Sequence, residues 1–154
     1  MSVRFLTARF IAAAFALLVA ALAAPAFAAQ CGGNYAGFLA QMERDAQAAV
    51  HAVATSPLVK TALNGGDPNW GRILAAVGRS GARLAPKKVS LHVGSLALVK
   101  EGRPAAYRES DAARIFRKER VPIRVDLGVG RASAFKLAAD FGHDYISVNT
   151  DYRT

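Results

Sequence analysis

The sequence predicts an α/β (α+β) domain: a small layered sheet with two or three packed helices, behind an N-terminal leader and a further helix. Three patterns carry that reading. Apolar side chains recur at three- and four-residue spacing over residues 34–54, 56–63 and 70–77. Residues 89–93 (VSLHV) alternate, residues 96–99 are apolar and β-prone, and Gly94-Ser95 between them suits a hairpin turn. Pro122 then opens another apolar run, residues 123–127.

In chain order, residues 1–28 read as a secretory leader. Arg4 and Arg9 form a positive start, residues 10–24 an apolar run, and Ala26-Phe27-Ala28 a small-x-small cleavage site after Pro25. Residues 29–51 are an Ala-rich helical segment whose helix, 34–54, buries Phe38, Met42, Ala46, Ala49 and Val53 and turns Glu43, Arg44, Asp45 and Gln47 outward. Ser56 and Pro57 start the next helix with a hydroxyl cap and a pre-set φ, and Asn64-Gly65-Gly66 stop it. Asp67-Pro68 repeat the capped start for a helix that Gly78-Arg79-Ser80-Gly81 close. Residues 101–104 read as a loop. Ser110 is expected to cap a helix running to about Arg120. Gly128 and Gly130 mark a turn into a strand over residues 132–138, and residues 145–148 are expected to form the last strand.

Composition bounds the chemistry. At 154 residues there is room for one modest domain, and a hydrophobic content of 53% requires a packed core. The net charge of +9 gathers at Arg79, Arg83, Lys87 and Lys88 and again at Arg114, Arg117, Lys118 and Arg120. Without a finger or aromatic-interleaved motif these read as a solvated face and not as a nucleic-acid surface, and the membrane is met only through the leader. Cys31, the single cysteine, excludes an intramolecular disulfide and a cysteine-built zinc site. His51, His92 and His143 stand apart as a helix face, a strand and a turn, and no HExxH or Walker loop occurs. No metal or cofactor site is expected.

The wording of two stretches goes further. SPLVKTALNGGDPNWGRI at 56–73 and DYISVNTDYRT at the end resemble the glutamate/ornithine N-acetyltransferase family of arginine biosynthesis, over residues 52–154. The resemblance implies the C-terminal part of that enzyme's β-chain. It also implies transfer of acetyl from N-acetylornithine to glutamate, with acetyl-CoA as donor in some members, in a hetero-oligomer of two cleaved chains. The family's nucleophile is a threonine freed as a new N-terminus at an Ala-Thr bond, where its own amine can serve as base. That segment lies well upstream of SPLVKTA, where this sequence has the leader and the Ala-rich helix instead. No catalytic residue is therefore assigned, and residues 1–154 are expected to be inactive alone. Ala54-Thr55 is an Ala-Thr bond in the wrong place, and Thr55 reads as a helix-start residue. Asn149 and Thr154 match the positions by which the family holds its amino-acid substrate. Residues 140–145 (DFGHDY) and Lys136-Leu137-Ala138 depart from the family's usual text.

A second, shorter resemblance joins Cys31-Gly32-Gly33 and FLAQMERDAQAA to the start of secreted lytic murein transglycosylases. The chain thus reads as a truncated acetyltransferase portion fused to a foreign secreted N-terminus. The alternatives are a small exported binding or structural protein that reuses the fold, and a remnant of a murein transglycosylase. The family implies the cytoplasm, whereas the leader points to the periplasm or secretion.

Overall fold

Burial alternates along the two strands at the centre of the core, residues 90–93 and 123–126. The computed structural model describes residues 3–9 and 35–151. Its strands are β1 (Val3–Arg9), β2 (Ser90–Val93), β3 (Leu96–Lys100), β4 (Arg103–Pro104), β5 (Ile123–Asp126) and β6 (Ser133–Ala139). They form one mixed sheet in the order β4-β3-β2-β5-β1-β6. Gly94, at φ +59, makes the two-residue hairpin between β2 and β3 as expected, with Val93 opposite Leu96. Residues 101–104, expected as a loop, instead close a second hairpin: Glu101 and Gly102 turn at φ 49 and 72, and Arg103 and Pro104 pair back onto β3. The first residues of the expected leader lie in the sheet as β1, parallel to β5 and antiparallel to β6. The rest of that leader, its expected cut after Ala28, and Cys31 fall outside the described residues.

Among the described residues five α-helices accompany the sheet: α1 (Tyr35–Ala54), α2 (Pro57–Asn64), α3 (Trp70–Gly78), α4 (Glu109–Phe116) and α5 (His143–Thr150). The Ser56 hydroxyl accepts from the Val59 N–H at 3.4 Å and Pro57 sits at the first helical position, so α2 begins as its sequence predicts. For α3 the cap is Asn69, whose side chain accepts from the Arg72 N–H, and not Asp67. For α4 it is Arg108, which makes no side-chain capping bond, and Ser110 lies inside the helix. That helix ends at Phe116, not at Arg120, because the chain must turn there to bury Val121 ahead of β5.

The expected last strand is a helix. Residues 145–148 carry β-branched side chains, yet Ile146 and Val148 are 58% and 67% exposed, so no buried face selects a strand. Gly142 starts α5 in extended conformation, and the hydroxyls of Ser147 and Thr150 and the amide of Asn149 donate to carbonyls within the helix.

One core holds these layers together. Leu91, Val93, Ile123 and Val125 of β2 and β5 meet Ala49 and Val53 of α1, Ile73 and Val77 of α3 and Phe116 of α4. The opposite face of the same strands is half-buried and polar: Ser90, His92, Arg124 and Asp126. Burial there pushes the His92 imidazole below its ordinary value; the Arg124 and Lys100 charges push the same way, against Asp126.

Asp45 corrects the reading of α1, since it faces the interior and not solvent. Burial raises its pKa, but hydrogen bonds from Arg83 at 2.7 Å and Gln41 at 2.9 Å, with the Arg83 charge, outweigh burial and hold it below the usual carboxylate value. Its partner is half exposed, which moderates the gain. Arg83→Ala is expected to cost about 1–2 kcal/mol at neutral pH, because a buried carboxylate loses its charged donor. A depressed folded-state pKa contributes stability above the unfolded value of 3.8 that is lost as pH falls through the folded value. Melting curves of both proteins should therefore converge below pH 3.8. A gap that persists into acid would show that the ion pair is not its source.

Candidate functional site

The end of β6 and the end of α2 come together at one corner. Asp140 follows β6, and its carboxylate accepts from the Asn64 side-chain N–H at 3.3 Å, joining residues far apart in sequence. Phe141 is fixed twice: its N–H donates to the Lys60 carbonyl at 3.4 Å, and the Lys60 ammonium lies 4.0 Å from its ring centroid. Tyr145 stacks on the same ring at 4.6 Å between centroids. Gly142 is where the chain passes Asn64, and a Cβ there would stand 2.8 Å from the Asn64 amide nitrogen. These contacts set the start of α5 against α2.

The result is a cleft of about 450 Å³ lined by Asn64, Asp140, Gly142, Asp144, Tyr145, Val148 and Asn149. Asn149, the sequence-predicted substrate residue, is therefore in it. Its amide N–H donates to the Tyr145 carbonyl at 2.7 Å, which orients the group and leaves its oxygen as the acceptor it can offer. Thr154, the second predicted residue, lies outside the described residues. Asn64, Asp140 and Asp144 were not among the predicted site residues. Asn64 had a sufficient local reading as a helix stop, and the two acids belong to the stretch that departs from the family's text. Two carboxylates and two amides around a partly apolar cleft suit a ligand that carries an ammonium beside polar acceptors and donors.

Thr55 sits between α1 and α2, and its hydroxyl donates to the His51 carbonyl at 2.8 Å. Its hydroxyl closes the end of α1, as a helix-junction residue would. Among the described residues no group of three His, Cys, Asp or Glu could hold a metal ion. Nor is any helix among them long and apolar enough to cross a membrane.

Known proteins are similar to this chain in sequence and in fold. The family model described as ArgJ family matches residues 35–154. The arginine biosynthesis bifunctional protein ArgJ of Symbiobacterium thermophilum is 44% identical over 110 residues, 71% of this chain and 27% of that protein. That of Parasynechococcus marenigrum is 41% identical over 112 residues, 73% and 27% of the two chains. The crystal structure of the Bacillus halodurans arginine biosynthesis bifunctional protein superposes with a TM-score of 0.71 at 23% identity, covering 97% of this chain and 58% of the other. This chain thus spans about a quarter of the length of the curated relatives it matches. With the family match running from α1 through the cleft to the last residue, the chain belongs to the ArgJ family.

Proposed function

We propose that this chain is the substrate-holding C-terminal portion of an enzyme that moves acetyl from N-acetylornithine to glutamate in arginine biosynthesis. The observation that carries the reading is the cleft, where Asn149 lies beside Asp140 and Asp144. An ornithine-like substrate has an ammonium for the carboxylates and for the Asn149 amide oxygen, and the resemblance adds the Thr154 hydroxyl as a further polar group. The relatives, named for arginine biosynthesis, support the pathway.

Residues 1–154 do not turn over by themselves on this reading. Covalent acyl transfer needs a group to carry the acetyl. Thr55, the one threonine after an alanine that could imitate the family's nucleophile, is placed at a helix junction with its amide and hydroxyl both on the His51 carbonyl. Turnover on this reading needs the family's upstream segment, which carries the nucleophile.

The test is reconstitution. The purified chain is incubated with N-acetylornithine and glutamate, with and without a separately made upstream segment of a complete homologue, and N-acetylglutamate is measured. No product is expected from the chain alone and turnover from the pair. Asn149→Ala should lower that turnover by about 10- to 100-fold, the value of a hydrogen bond to a charged group. Product from the chain alone would refute the missing-nucleophile reading. An Asn149→Ala pair as active as the parent pair would remove the cleft from the substrate's path.

A further inference from the structure

We infer that Val3–Arg9 is a complementing strand on which the tail of the molecule depends, so that a chain cut after Ala28 cannot keep the candidate site assembled. The inference rests on backbone pairing and is independent of the acetyl-transfer reading. β5 and β6 follow each other in sequence but are not neighbours in the sheet, because β1 lies between them. On one side β1 runs parallel to β5, with Leu6 opposite Ile123 and Arg9 opposite Asp126. On the other it runs antiparallel to β6 over the whole strand, from Val3 opposite Ala139 to Arg9 opposite Ser133. The sheet order gives β6 no other neighbour.

Withdrawing β1 therefore has two effects. It strips β6 of its ladder, and it opens the outer edge of β5, leaving rows of backbone donors and acceptors unpaired. α1 packs across both β1 and β6, so the loss also reaches the helix layer. The cleft lies at the far end of the same chain of dependence. Asp140 is the residue after β6, and Gly142, Asp144 and Asn149 hang from it. A tail without β6 in the sheet keeps side-chain tethers such as those at Asn64, Lys60 and Lys136–His51, but none of them replaces the backbone ladder.

The occupant of this lane does not come from the family-matched part of the chain. The family match begins at residue 35, well after β1. Yet the superposition on the Bacillus halodurans fold covers 97% of this chain, more than residues 35–154 alone supply. The lane between β5 and β6 is filled here by residues that the sequence offers as the start of a leader. Processing of that leader and completion of the site are mutually exclusive outcomes for one N-terminus.

Hydrogen exchange on the full chain tests this. In the parent, the alternate amides of residues 133–139 that bond to β1 should be protected. Leu6→Pro removes a backbone N–H and fits poorly inside a strand paired on both sides. It should raise exchange over residues 133–139 by about 10-fold or more while β2 and β3 stay protected, as a sub-global opening. Absence of that alternate protection in the parent, or exchange at 133–139 unchanged by Leu6→Pro, would overturn the inference. A second variant covers the case in which Leu6→Pro unfolds the whole chain. With Cys31→Ser, the pair Thr7→Cys and Phe135→Cys stands at directly opposed positions and should form an intramolecular disulfide on oxidation. The pair Thr7→Cys and Ala139→Cys should not. Failure of the first pair, or equal bonding of both, would overturn the inference as well.

Discussion

Phe116→Ala is expected to lower the unfolding free energy by about 3–5 kcal/mol, the usual cost of truncating a buried aromatic ring. Phe116 is 1% exposed and is the largest fully buried side chain among the described residues. It is also the anchor of α4, whose only other buried residue is Ala112. Beside it only Ile115 packs half-buried against the core, so little on α4 can collapse into the vacated space. Against the roughly 5–15 kcal/mol of a typical domain, such a loss leaves a marginal protein. Trp70, the single tryptophan, packs against the core and gives a fluorescence signal for urea unfolding. A loss under about 1.5 kcal/mol, the range of volume-conserving swaps, would mean that α4 is not held by this ring.

Gly102→Ala should be nearly as costly, for a different reason. Gly102 stands at φ +72, where a Cβ alone costs roughly 1–2 kcal/mol. The added carbon would also lie 2.3 Å from the Pro86 carbonyl oxygen and 3.1 Å from the Lys87 Cα. Both are backbone atoms, so relief requires moving the hairpin away from the 3-10 turn Pro86–Lys88, at about 1–3 kcal/mol more for overpacking. The Gly102 N–H bond to the Val89 carbonyl, 2.7 Å long, would be lost with that movement. Gly78→Ala is the contrast. Nothing lies within 4 Å of a Cβ there, the residue is in a helix, and the change should be neutral or stabilising by up to about 1 kcal/mol. Equal melting temperatures for the two variants would refute the assignment of strain to Gly102.

Elements decided by neighbours in sequence were legible in the sequence. Ser56-Pro57 and Gly94-Ser95 carry their own geometry, and they produce the helix start and the hairpin turn expected of them. Asp45 was misread because its partner, Arg83, comes from a loop thirty-eight residues on, beyond the reach of helical periodicity. The last strand was misread for a related reason. β-branched residues at 146 and 148 favour a strand only where a sheet edge receives them, and here the polar side chains of Ser147, Asn149 and Thr150 bond within a helix. At the site, Asn149 was reachable through the resemblance. Asn64 and Asp140 meet across seventy-six positions, and no local signal announces such a meeting.

The place of β1 between β5 and β6 also fixes an order of events in folding. Val3 and its partner Ala139 lie far apart in the sequence. Hairpins such as β2–β3 can zip as they are made, whereas the β1 ladders must close a loop of well over a hundred residues. High sequence separation of this kind slows folding and prolongs the exposure of unpaired strand edges. β1 is thus the last strand to find its place, and until it does Val3–Arg9 is available to whatever else binds a short basic and apolar segment.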